Sequence, residues 1–277
     1  MKKQPFLFFN ILVIACLAAI ATDIYAPSLS AISDVMHAPI EKAQLSLTIF
    51  MVGLAFSQLI YGPISEGTGR RGPLIAGILI FISGSLICFL STGIEFLIAG
   101  RLIQGLGAGA CSSLWRTIFR DVYQGDDLAK YGAWLSVIIT FFIPAVPVLG
   151  GYFQHYIGWQ ASFFFLILYS LLALFLIMFV FKETSVHHHP ERLKGTFILQ
   201  AFKQLLTSRI FMGYTLSVFF CYGAFFSWYA VGPVLLIKHL GISPVVFGWI
   251  SFLIGAGAMG SAGAINGKYV KRFGGKS

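Results

Sequence analysis

The 277-residue chain is 57% hydrophobic, 16% aromatic and only 10% charged, with a mean hydropathy of +0.84, where a soluble domain is about a quarter charged. No soluble fold could cover that much apolar surface, so the length is better divided by the roughly 20 apolar residues that cross a bilayer, leaving room for about eight spans. The net charge of +9 does not point to nucleic acid, because the lysines and arginines are spread between apolar runs and not gathered on one face.

In chain order, the apolar runs predict helices over residues 6–26, 43–62, 74–92, 95–115, 132–153, 161–181, 210–231 and 245–265. The first follows Lys2 and Lys3 as a secretory leader would, but it is too long for a leader's apolar core and further spans follow. It closes on Thr22-Asp23-Ile24-Tyr25-Ala26-Pro27-Ser28-Leu29. After the second comes Gly62-Pro63-Ile64-Ser65-Glu66-Gly67-Thr68-Gly69-Arg70-Arg71. Its glycines suit a tight turn, its acid a helix end and its arginines the headgroups. The fourth span carries Gly100-Arg101-Leu102-Ile103-Gln104-Gly105-Leu106-Gly107-Ala108-Gly109, followed by Arg120-Asp121 and Gly125-Asp126-Asp127. Gly105 and Gly109 form a GxxxG pair whose first reading is close helix packing. The fifth holds Pro147-Val148-Leu149-Gly150-Gly151, which bends or loosens the helix, either for a conformational change or to fit a curved bundle. On the seventh, Tyr222, Trp228 and Tyr229 suit a cavity or an interfacial aromatic belt.

Of the 19 lysines and arginines, 16 lie in connections on one side, only Lys42 and Lys238 on the other, and Arg101 inside a span. Positive residues are retained in the cytoplasm, so both ends of the chain are expected there. The longest connection, residues 183–208, is polar and basic. It is expected to divide a six-helix bundle, residues 1–182, from a pair of helices in residues 209–277. Its His187, His188 and His189 lack the fixed geometry and the Cys or carboxylate partners of a metal site, so no metal is expected. Cys16, Cys88, Cys111 and Cys221 sit in apolar runs without CxxC spacing and read as small buried residues. Gly275-Lys276-Ser277 imitates the end of a phosphate-binding loop, but the glycine required five residues earlier is Val270. No constellation for an enzyme appears in the spans, and no cofactor is expected.

In their order along the chain these patches resemble the major facilitator superfamily, in its drug:proton antiporter group. Residues 22–29 and 120–127 resemble the bicyclomycin-resistance (Bcr/CflA) branch, 62–71 the loop between helices two and three, 100–109 the helix-four motif, and 147–151 the end of the antiporter motif. Glu66 stands where the family usually has Asp, Gly67 where it has a basic residue, and Val146 where it has glycine. Gly263-Ala264-Ile265-Asn266-Gly267-Lys268-Tyr269-Val270-Lys271-Arg272 repeats the layout of 62–71 after the eighth run, as two parallel repeats would.

The resemblance implies an all-α integral membrane bundle with about eight of twelve transmembrane helices present, the chain stopping after the eighth. It implies a multi-pass inner-membrane exporter of drugs or other small amphipathic compounds, driven by protons through alternating access. Its partners would be a small-molecule substrate, protons and the lipid bilayer, with self-association or a missing C-terminal portion covering helices seven and eight. Asp23 and Arg101 would couple the protons. Gly62, Glu66, Gly69, Arg70 and Arg71 would form the gating loop, Pro147, Gly150 and Gly151 the antiporter element, and Tyr25, Gln104, Tyr222, Trp228 and Tyr229 the substrate cavity. An importer on the same fold, or a non-transporting membrane protein from an interrupted reading frame or serving as an accessory subunit, are the alternatives.

Asp23 and Arg101 also stand out on cost, since an unpaired charge at the bilayer centre costs at least about 2.5–3.5 kcal/mol. At 1.5 Å per residue their levels differ by roughly 6 Å in a core of about 30 Å, a gap an arginine side chain can bridge. They are expected to pair in one conformation and part in another. The plain alternative is a static salt bridge, or an Asp23 that reaches headgroup water.

Overall fold

A computed structural model describes residues 5–184 and 195–273, and among these the ordered elements are all helical. The helices are α1 (Pro5–Asp23), α2 (Leu29–Val35), α3 (Ile40–Thr68), α4 (Arg71–Phe89), α5 (Ile94–Val122), α6 (Gly125–Tyr156), α7 (Gln160–Phe179), α8 (Gly195–Thr207), α9 (Arg209–Pro233) and α10 (Pro244–Phe273). Eight stretches are long and apolar enough to cross a membrane, with α1 and α2 making the first and α8 standing apart. In lipid every backbone N–H and C=O must be met internally, and unbroken helices do this segment by segment.

The helices overrun the ends that hydropathy suggests. Pro27 opens a single 3-10 turn, Ala26–Ser28, and α2 then carries the first span on to Val35. α3 runs through Gly62 and Pro63 to Thr68, so the expected loop shrinks to Gly69 and Arg70. Gly69 has φ +94°, a conformation that costs a residue with a side chain. α6 begins at Gly125, and α10 passes through residues 263–272 as helix where a second loop was expected. The 183–208 connection also holds more structure than its polarity suggests, because α8 fills half of it. Past Pro233 a π-helical stretch, Val234–His239, ends the seventh span.

The core is built on backbone contact. α5 is wedged between α3 and α4: a Cβ at Gly105 would fall on the Phe50 carbonyl, one at Gly109 on the Ser57 side chain, and one at Gly107 on the Phe81 amide. The GxxxG pair therefore packs α5 on α3. Cys16, Cys88 and Cys111 are buried as expected, whereas Cys221 on α9 is exposed. The His187–His189 tract and Gly275–Ser277 lie outside the described residues.

Among the described residues, the polar contacts between the last two spans and the first six gather toward one end. Ser30 Oγ donates to the Pro233 carbonyl (3.5 Å), Gln44 Nε2 to the Ala230 carbonyl (2.8 Å), and Lys238 pairs with Asp34 (3.3 Å). α10 lies along α6 at the same end, with added Cβ atoms at Gly248 and Gly255 coming to 2.7 Å from the Pro147 carbonyl and 3.0 Å from Pro144. Toward the other end, Ile210, Tyr214 and Phe219 of α9 are exposed.

Candidate functional site

Arg101 lies two turns into α5 and is fully buried. One guanidinium nitrogen, Nη1, donates to the Ala21 carbonyl of α1 (3.1 Å) and to Gln104 Oε1. The Gln104 amide donates in turn to Ser85 Oγ of α4 (2.7 Å). The plane of the cation is faced by the rings of Phe50 (4.1 Å to the centroid) and Tyr25 (4.8 Å), an arrangement worth about 2 kcal/mol per ring once water is excluded. Tyr25 is fixed by its hydroxyl contact with Ser46 Oγ (2.8 Å) and its ring contact with Phe163. Tyr25 and Gln104, expected to line a substrate cavity, are fully buried and instead hold Arg101.

The expected pairing of Asp23 with Arg101 is absent from this conformation. Asp23 ends α1 with 2% of its surface exposed and makes no ion pair among the described residues. Yet Arg101 grips the carbonyl two residues before Asp23, and its Nε and Nη2 are buried without an acceptor. A cation with two unmet donors thus stands within one helical turn of a carboxyl group with which it makes no ion pair. Hydropathy locates both charges, but that they do not pair in this conformation has no sequence signal.

The helix-seven aromatics separate. Tyr229 is buried beside Phe225 (5.1 Å between centroids). Trp228 binds α10, its indole N–H donating to Ser251 Oγ (3.1 Å) and its ring stacking on Phe247. Tyr222 is 56% exposed and stacks on Phe226. Of the three, only Tyr229 is buried.

At the α3–α4 turn, Arg70 joins three elements: Nη1 donates to Ser65 Oγ (2.8 Å) and Nε to Asp121 at the end of α5 (3.2 Å). Arg71 caps the end of α7, donating to the carbonyls of Ile177 (3.3 Å) and Met178 (2.6 Å). Glu183, just past α7, returns the contact: its two oxygens accept from the backbone amides of Arg70 (2.9 Å) and Arg71 (3.0 Å). A carboxylate at a helix N-terminus meets orphan donors and the positive end of the dipole. Glu183 was not singled out by sequence reasoning, and nothing local distinguishes it from an ordinary loop acid. Gly62 has open space around it.

The fifth span, α6, supplies a further contact between the two sets of spans. A side chain at Gly150 would strike the Ile24 carbonyl, and one at Gly151 the Pro244 carbonyl, so both glycines admit backbone approach, from α1's end and from α10. Pro144 and Pro147 remove two backbone donors from α6 beside the α10 contact. A small apolar cavity of about 190 Å³ opens next to this face, lined by Ile20, Phe142, Ala145, Val146, Leu149 and Phe165.

Comparison with known proteins agrees with this architecture. The Major Facilitator Superfamily profile matches residues 11–277. An uncharacterized MFS-type transporter, YdgK of Bacillus subtilis, is 35% identical across 99% of this chain and 67% of its own length. A bicyclomycin resistance protein homolog of Haemophilus influenzae is 26% identical across 99% of this chain and 69% of its own, and a chloramphenicol resistance protein of Pseudomonas aeruginosa 30% identical across 94% and 61%. Among solved structures, a bacterial homolog of the human lysosomal transporter Spinster, in an inward-facing and unoccupied conformation, superposes with a TM-score of 0.72 at 16% identity, covering 98% of this chain and 65% of that one. The chain thus spans about two thirds of the length of the proteins it matches. Eight spans in this packing, the motif residues at their turns and a profile match over nearly every residue have one reading: the chain belongs to the Major Facilitator Superfamily, a family of multi-pass membrane transporters and not of enzymes.

Proposed function

We propose that the chain carries the proton-coupling helices of a secondary exporter of drugs or other small amphipathic compounds, working by alternating access between residues 1–182 and the spans that follow. The observation that carries this reading is Arg101: a buried cation with two unmet donors, seated one turn from Asp23 and not paired with it. In this conformation an ionised Asp23 would be an unpaired charge within the bilayer, at a cost of at least about 2.5–3.5 kcal/mol. The neutral acid therefore belongs to this state, and the carboxylate to one in which α1 turns Asp23 onto Arg101. A proton is taken up in one state and released in the other. The drug-resistance names of two relatives support the direction and the substrate class.

The contacts between the two sets of spans gather at the end that carries Lys42 and Lys238, away from the 16 basic residues of the other end. With the basic end in the cytoplasm, this is an inward-open state, both termini are cytoplasmic and the protein lies in the inner membrane. Tyr229, next to the Ala230 carbonyl that Gln44 binds, stands at the seam between the two sets of spans and is the aromatic that would meet a substrate when that seam opens, with Tyr222 and Trp228 on the same helix. The Arg70–Asp121 and Glu183 contacts hold the basic ends of the first six spans together while the cavity is open there.

The test is proteoliposomes with an imposed pH gradient and a fluorescent amphipathic dye. Uncoupler-sensitive dye movement is expected, with Asp23→Asn abolishing the gradient-driven component while dye binding survives. Dye movement with the gradient, not against it, would make the protein an importer. Unchanged gradient-driven movement in Asp23→Asn would remove the carboxyl from the mechanism, and no movement at all would favour a non-transporting membrane protein.

A further inference from the structure

We infer that α8, in the connection between the sixth and seventh spans, is an interfacial helix whose partner is the anionic headgroup surface of the surrounding bilayer. Over Gly195–Thr207 the helical period places Phe202, Leu205 and Leu206 on one side and Gln200, Lys203, Gln204 and Thr207 on the other. That side is open among the described residues: Leu205 is 42% and Leu206 61% exposed. At 13 residues the helix is too short to cross a bilayer.

Its position selects the occupant. Ser208 alone separates α8 from the membrane-spanning α9, with extended backbone (φ −76°, ψ 113°) that turns the chain, and its side chain accepts from the Phe211 amide to start α9. The end of α8 is therefore pinned where a span leaves the hydrocarbon. Charge agrees: residues 192–209 contain Arg192, Lys194, Lys203 and Arg209 and no acid. Lys203 and Arg209 are exposed and make no ion pair among the described residues. A helix with an apolar face, a basic flank and a membrane-boundary tether lies in the interface plane, apolar face among the upper acyl chains and cations at anionic headgroups. Such a strut ties the connection between the two sets of spans to the leaflet, so their relative movement becomes sensitive to lipid charge.

The experiment uses the full chain in a Cys221→Ser background, since the other three cysteines are buried. An environment-sensitive fluorophore is attached at Leu206→Cys or, for the polar side, Gln204→Cys. The protein is placed in nanodiscs of phosphatidylcholine alone or mixed with phosphatidylglycerol. The label at 206 should be shielded from iodide and quenched by nitroxide lipid, more so as phosphatidylglycerol rises, while the label at 204 stays open to iodide. Lys203→Gln should weaken the anionic preference about fivefold, read from the phosphatidylglycerol fraction at half-maximal quenching. Equal iodide access at both positions would overturn the inference. So would a 206 label shielded from iodide but untouched by nitroxide lipid, which means protein covers the face, or insertion that ignores phosphatidylglycerol.

Discussion

Replacing Arg101 with methionine separates a coupling role from a structural one. A buried arginine in an ordinary ion pair is costly to remove, about 3–5 kcal/mol, because its carboxylate is left unpaired. Here no carboxylate is orphaned, since Asp23 does not bind Arg101 in this conformation. The substitution forfeits two charge-assisted hydrogen bonds, about 1.5–3 kcal/mol each, and two ring contacts of about 2 kcal/mol each. It also removes an unpaired charge worth about 2.5–3.5 kcal/mol and two unmet donors at about 1–3 kcal/mol each. The two sides nearly cancel, so Arg101→Met should change stability by less than about 2 kcal/mol, or by a few degrees in Tm at about 2–4 °C per kcal/mol. Thermal unfolding of the purified protein measures this, and gradient-driven dye transport on the same preparation should be abolished. Lysine at this position keeps the charge but not the planar fork that binds Ala21 and Gln104, and should also transport poorly. A fall in Tm of more than about 10 °C for Arg101→Met, or coupled transport that survives it, would refute the argument.

Three other outcomes follow from the same geometry. Gly248→Val places a branched side chain where even a Cβ comes 2.7 Å from the Pro147 carbonyl, at an overpacking cost of about 1–3 kcal/mol; it should open that end and speed thiol labelling at Ser30→Cys, whereas Gly62→Ala, with open space around it, should change neither stability nor labelling. Glu183→Gln leaves one oxygen for two amides and should cost about 0.5–2 kcal/mol, seen as faster hydrogen exchange at Arg70 and Arg71 with little change elsewhere. A reporter active only outside the cytoplasm should work after His37 and after Lys238 but not after Ser277; activity at Ser277 without activity at Lys238 would reverse the assigned orientation.

What could be read from the sequence divides by the physics that writes it. Spans are legible because each must be apolar over its own length, a local property, and all eight lie where hydropathy puts them. Their ends are not, because a helix in headgroup water continues until a turn is chemically forced, as at Gly69, and not when hydrophobicity falls. The helix in the 183–208 connection hid for a related reason: a segment can be polar on average and still carry an apolar face, which only the 3.6-residue period reveals. At the candidate site, the two buried charges are visible as rare residues inside apolar runs, but their partners come from other helices. Ser46, Phe50 and Ser85 around the Arg101 cradle look like any small or aromatic residue of a membrane helix. The pairing of Asp23 is further from reach, because it depends on the conformation as well as on the fold. On the proposed coupling role the carboxyl has two settings, and then no single arrangement of contacts is written into the chain. The same sequence has to make Arg101 comfortable without Asp23, and it does so with neutral carbonyls and ring faces that hold a cation without fixing it to an anion. That is the arrangement to expect where a charge pair must form and part repeatedly: a neutral cradle lowers the cost of the parted state, and a permanent salt bridge would remove it.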